Sequence, residues 1–167
     1  NFAKAAGLKK GSYKGYQFND SDVFMVIEGA SYSLQIHPDV ELDHYLDSVI
    51  ALIAAAQEKD GYLYTPRRLI DSTYSPPGGK NRRAGAKDGS HELYNLGHLY
   101  EAASAHYQAT GKRNLLTVAL KSANLICETF GPDKRHEVPG HQVMEIGLCQ
   151  LYRITGEDKY LRTAKFF

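Results

Sequence analysis

Two stretches of this chain match at an offset of 45 residues, pairing Tyr107 with Tyr152, Thr110 with Thr155, Gly111 with Gly156, Leu116 with Leu161 and Ala119 with Ala164. In each stretch an apolar helical pattern runs into a glycine and a second helical pattern starts directly behind it. The repeating unit is therefore a helical hairpin closed by a tight turn. Connections alternate in length, short at His37-Pro38, Gly111 and Gly156 but long at 59 to 90 and 131 to 141. If successive helices are antiparallel, every long connection falls at the same end. The expected fold class is all-α, a stack or closed ring of helical hairpins with any loop-built site at the long-connection end.

The helices can be placed from their apolar spacing. Residues 1 to 18 have no sustained period and read as a lead-in. Asn19 to Ser21 supply cap chemistry for a first helix carrying Val23, Phe24, Val26, Ile27, Ala30 and Leu34, which ends before Pro38. A second, from about Glu41 to Glu58, sets Leu42, Tyr45, Leu46, Val49, Ile50 and Ile53 on one face. Periodicity then disappears until His91. From there to Gly111, Leu93, Leu96, Tyr100, Ala103 and Tyr107 form an apolar stripe beside a polar one of His91, Asn95 and His98, with Ser90 as the expected N-cap. Asn114 to Phe130 and Val143 to Ile154 are apolar on most sides, and a last helix begins after Gly156.

At 167 residues the chain can remove roughly 70% of its extended surface from water. A net charge of +1 with 43% hydrophobic residues favours neither a nucleic-acid binder nor a disordered chain. Cys127 and Cys149 sit inside apolar helical pattern, at a spacing that fits neither a disulfide framework nor a metal site, and read as small core residues. No apolar run reaches the roughly 18 residues of a membrane span, and no signal peptide is recognisable. The chain starts at Asn1 and stops at Phe167 inside an amphipathic pattern, so it reads as a piece of something longer, truncated at both ends.

Several motifs can be weighed chemically. In HELYN, His91 to Asn95, the position four residues after the histidine holds Asn95, which excludes a zincin site. HEVPGH, His136 to His141, separates its histidines by five residues across Pro139, so they share no helical face, and Pro139 is expected to open the next helix. Both motifs nonetheless set His and Glu beside a helix start at the long-connection end, where imidazoles can exchange hydrogen bonds with sugar hydroxyls or simply cap and pack the loops. DGYLYT, Asp60 to Thr65, adds Asp60 and Tyr62 as polyol-binding candidates, although Tyr62 and Tyr64 fit rim packing equally. The long loop at 66–90 carries Arg67, Arg68, Lys80, Arg82, Arg83 and Lys87 against Asp71 and Asp88, and without interleaved aromatics it reads as a solvated loop. Gly78-Gly79-Lys80-Asn81 is no phosphate-binding loop, because Tyr74 and Asn81 stand where glycine and Ser/Thr are required.

The blocks FNDSDVFMVIEGASYSL, AAAQEKDGYLYT, SHELYNLGHLYEAASAHYQATGKRNLL and HEVPGHQVMEIGLCQLYRITGEDKYLRTAKFF together resemble glycoside hydrolase family 127, the β-L-arabinofuranosidase type. That resemblance implies an (α/α)6 toroid, with 1–167 forming roughly its N-terminal half, and a zinc-dependent retaining glycosidase. In the family a cysteine thiolate, held on zinc by a Glu-x-Cys element and a Cys-Cys pair, is the nucleophile, and a separate glutamate is the acid/base. None of these elements occurs here, and Cys127 and Cys149 match neither pattern. Zinc is accordingly expected in the parent enzyme and not on this piece. His91 and His141 resemble the histidines that bind the terminal sugar, with Glu92, Tyr94, Asn95, His136 and Glu137 as neighbours.

The expected partner is an oligosaccharide or glycan, with neither nucleic acid nor membrane, and a homo-oligomer is left open. Two other classes fit the hairpin pattern: another (α/α)6 sugar enzyme, such as an unsaturated uronyl hydrolase or an N-acylhexosamine epimerase, and a non-catalytic helical-repeat binding module.

Overall fold

The computed structural model describes residues 1–70 and 91–167. Ser90, proposed above as a cap, and most of the basic loop lie outside the described residues. Eight helices form among those described: α1 (Phe2–Ala5), α2 (Asn19–Ile36), α3 (Val40–Ala56), α4 (Thr65–Ile70), α5 (Glu92–Thr110), α6 (Asn114–Thr129), α7 (Val143–Thr155) and α8 (Asp158–Phe166). The sole β pairing among them is a bridge between Phe130 and Arg135.

Two rows of three helices make up an arc of an (α/α) toroid. The inner row is α2, α5 and α7, with α5 packed extensively on both neighbours, and the outer row is α3, α6 and α8. Inner helices start at the same end. The amide of Ser21, in the first turn of α2, donates to Asn95 Oδ1 in the first turn of α5 at 2.8 Å, and Gly97 of α5 lies against the backbone of Val143, which opens α7. The described parts of the long connections meet that end, through Thr65 on Asp20 and His141 on His91, while the turns at 37–39, 111–113 and 156–157 close the opposite end.

Burial follows the helical period. On α2 the core face is Phe24, Ile27, Ser31 and Leu34, and on α3 it is Leu46, Ile50, Ile53 and Ala56. Each buried leucine or isoleucine on such a face contributes about 1.5–3 kcal/mol. Val26 and Tyr45, expected on these faces, are instead exposed, because each lies one step round the helix from the stripe. The central helix α5 is buried almost all round, so its supposed polar stripe is partly interior: Asn95 is enclosed along with Leu96, Leu99 and Tyr100. Helices α5 and α7 approach backbone to backbone, which their glycines permit. A Cβ on Gly97 would lie 2.6 Å from the Val143 carbonyl carbon, and one on Gly147 would lie 2.7 Å from the Gly97 oxygen.

The 45-residue offset is structural as well. Gly111 and Gly156 both adopt left-handed φ values, 72° and 70°, and their amides donate to Tyr107 and Tyr152 carbonyls at 2.8 Å. Thr110 and Thr155 hydroxyls donate back to the His106 and Leu151 carbonyls and accept from the amides of Lys112 and Glu157. Identical chemistry closes both hairpins.

Other expectations need correction. The lead-in contains α1, whose Phe2 meets Phe24 with 5.7 Å between ring centroids; four residues are too few to register as a period. The nominal loop after α3 contains α4. Pro139 does not open α7, which starts at Val143 behind Gln142. Asp39, overlooked in sequence, caps α3 by accepting from the amides of Glu41 and Leu42. Both cysteines are free and half-buried against the core.

Candidate sugar-binding site

The start of α5 organises the long-connection end. His91 occupies the cap position with φ 57°, the one non-glycine residue in the left-handed region among the described residues. That conformation costs on the order of 1 kcal/mol for a residue with a Cβ. Asn95 compensates. Its amide nitrogen donates to the His91 carbonyl at 2.9 Å and the Gln17 carbonyl at 3.1 Å, while its oxygen accepts from Ser21. The HELYN asparagine thus ties two inner helices together and holds the turn that aims His91.

The loop from 130 to 142 brings His141 onto His91, with 5.3 Å between ring centroids and 27° between planes. Tyr94 sets its ring against both, 4.9 Å from His141 and 5.7 Å from His91, and His98 meets Tyr94 edge-on at 4.6 Å. His141 is exposed while His91 and Tyr94 are half-buried. Ring nitrogens and a phenol hydroxyl on one aromatic cluster can share hydrogen bonds with several hydroxyls of one sugar.

The remaining candidates have other roles, and Asp60, Tyr62, His136 and Glu137 make bonds or ring contacts with residues outside this cluster. Glu92 is enclosed beneath it, and its charge, after burial, helps to push the Tyr64 hydroxyl well above its usual range. Glu137 pairs with Arg135 at 2.9 Å, which holds that guanidinium above its ordinary value. His136 turns toward α8, hydrogen-bonding the Pro132 carbonyl and meeting Phe166 edge-on. Asp60 is exposed and accepts from the amide of Tyr62 at 3.2 Å, while Tyr62 itself is enclosed.

Two features escaped the motif reading. Asp20 is buried and accepts from both the amide and the hydroxyl of Thr65, at 2.8 and 2.6 Å, anchoring the start of α4 to α2; burial pushes its carboxyl up to about 6. Phe18 places its ring edge-on to His91 at 5.5 Å and stacks on Tyr16. Aromatic residues two apart directly before Asn19 were the available signal; Phe18 itself takes the cap position of α2, and Asn19, expected to cap, is its first helical residue and accepts instead from the Tyr16 amide.

A family model described as "Beta-L-arabinofuranosidase, GH127 catalytic domain" matches residues 1–167. The chain belongs to glycoside hydrolase family 127. Among curated proteins, the "Non-reducing end beta-L-arabinofuranosidase" of Bifidobacterium longum subsp. longum is 39% identical over 168 residues, covering 99% of this chain and 25% of its own length. Among solved structures, a GH127 β-L-arabinofuranosidase from Geobacillus stearothermophilus T6 superposes with a TM-score of 0.91 at 39% identity, over 99% of this chain and 25% of that one. A second GH127 β-arabinofuranosidase superposes with a TM-score of 0.88 at 50% identity, over 99% of this chain and 27% of its own. The chain therefore spans about a quarter of the length of these relatives.

The zinc implied by family likeness does not fit the described residues. Asp43, Asp47 and His106 offer ligand atoms within 4.8 Å of one another. They include no thiolate and lie at the short-turn end, fifteen residues along α5 from His91, roughly 22 Å at the helical rise. Both carboxylates are already held by Lys112 Nζ at 2.7 Å. Cys127 is no better suited, since burial pushes its thiol up and so disfavours the thiolate a metal requires.

Proposed function

We propose that residues 1–167 form the N-terminal part of an (α/α)6 catalytic domain whose parent hydrolyses non-reducing terminal β-L-arabinofuranosides with retention, and that this part supplies a sugar-binding wall. The observation that carries the reading is the stacked His91–His141 pair, delivered from the HELYN and HEVPGH motifs just before the starts of the adjacent inner helices α5 and α7. Family membership favours this reading over a uronyl hydrolase, an epimerase or a helical-repeat module.

The role of the chain in the reaction is binding and orientation. Imidazole nitrogens of His91 and His141 would hold hydroxyls of the terminal furanose, and Tyr94 would shield the ring face. Orientation matters because retention proceeds by two displacements at one carbon, each needing an in-line approach. The nucleophile, the acid/base and the zinc-held thiolates that the family likeness implies would come from residues outside 1–167. This piece alone would then be inactive.

The test uses the full-length parent. Replacing His141 by alanine should lower kcat/KM on a β-L-arabinofuranoside about 5- to 150-fold, the equivalent of about 1–3 kcal/mol for one buried hydrogen bond. Unaltered kinetics would remove His141 from the site.

A further inference from the structure

The row of aromatic rings does not stop at the histidines. Beyond His91 it continues through Phe18 to Tyr16, whose rings lie parallel, 5° apart in plane and 5.4 Å between centroids. Tyr16 is 71% exposed and Phe18 37%. The backbone that carries them is tied down from residue 16 to 18. The Tyr13 hydroxyl donates to the Tyr16 carbonyl, Asn19 Oδ1 accepts from the Tyr16 amide, and the Gln17 carbonyl accepts from the buried Asn95. Gly15, at φ 104°, makes the turn into this segment, where a Cβ would collide with the Asn19 side chain. Asn95 ties the same segment and His91, so the exposed ring pair and the histidine pair are set at a fixed distance.

We propose that Tyr16 and Phe18 form a second sugar subsite, an aromatic platform that binds the residue to which the terminal arabinofuranose is linked. The chemistry is that of a polyol with one apolar face: C–H bonds of a sugar ring carry slight positive charge and pack on the negative face of an aromatic ring, and a pre-ordered platform loses little entropy on binding. Phe18 bridges the two subsites through its edge contact with His91, and Tyr16 lies one ring farther out. A specific exposed aromatic patch beside a polar pocket is better explained by a ligand than by chance. The proposal rests on the arabinofuranosidase reading above.

The experiment compares two substrates of the full-length parent: a disaccharide with a terminal β-L-arabinofuranosyl residue, and methyl β-L-arabinofuranoside, which has no second ring. For Tyr16→Ala, kcat/KM on the disaccharide should fall about 3- to 10-fold more than on the methyl glycoside, mostly through KM, and Tyr16→Trp should restore the preference. Equal losses on both substrates would make Tyr16 a structural residue, and no loss on either would mean that it never meets the glycan; each overturns the platform while leaving the arabinofuranosidase reading intact. Wild-type parent that cleaves neither substrate would overturn that reading, and the platform with it.

Discussion

The two ends of this arc are held together by different chemistry. At the short-turn end, two hairpins close with the same left-handed glycine and the same threonine bonds, and the cross-link between helices is a half-exposed triad of Lys112 with Asp43 and Asp47. At the site end the cross-links are buried. Asn95 joins α2 to α5, Asp20 joins α2 to α4, and Gly97 lets α7 touch α5. Repeated local turns need only local sequence and tolerate change. A site assembled from separate segments needs interior polar ties, and each tie is costly to break because its partners are left enclosed and unsatisfied.

That contrast can be broken most severely at Asn95. Asn95→Ala strands the Ser21 amide and the Gln17 carbonyl, and should destabilise the fold by about 2–4 kcal/mol in a denaturant titration. A cost below about 1 kcal/mol would mean that water replaces the lost bonds. Next in size, Gly97→Ala should cost about 1–3 kcal/mol by forcing α5 from α7. Its counterpart at the other end, Gly111→Ala, meets no atom within 4 Å and should carry only the left-handed penalty, about 1 kcal/mol. Smallest is Lys112→Met, at about 1 kcal/mol or less and shrinking further as salt is added.

Acidity sharpens the same difference. Asp20 has an ordinary carboxyl value near 3.8 when unfolded and about 6 in the fold, so between those values the folded state binds more protons. Its contribution is therefore fully present below about 3.8 and is lost as pH rises through about 6. Relative to Asp20→Asn, the wild type should lose stability over that window; parallel profiles would show that Asp20 is ionised without cost.

Much of this arrangement was legible in the sequence, and what was not has physical reasons. The helices α2, α3, α5, α6 and α7 emerge from apolar spacing because one face of each meets the core, and the hairpin turns emerge because glycine in the left-handed region leaves a fixed mark. Loop alternation placed the starts of the inner helices, where His91 and His141 meet, at one end. Val26 and Tyr45 misled because apolar character does not fix which side of a stripe a residue falls on. Helix α4 was hidden because its start is set by a buried carboxylate 45 residues away, at Asp20. For the same reason, the role of Asn95 as a tie between α2 and α5 could not be read from HELYN alone. His91 and His141 were named from motif likeness, and their stacking depends on a loop path that periodicity does not encode.

The most direct measurement is a crystal structure of the full-length parent with L-arabinofuranose bound. The account predicts sugar hydroxyls within about 2.7–3.2 Å of ring nitrogens of both His91 and His141. A sugar bound with neither histidine in reach would contradict it.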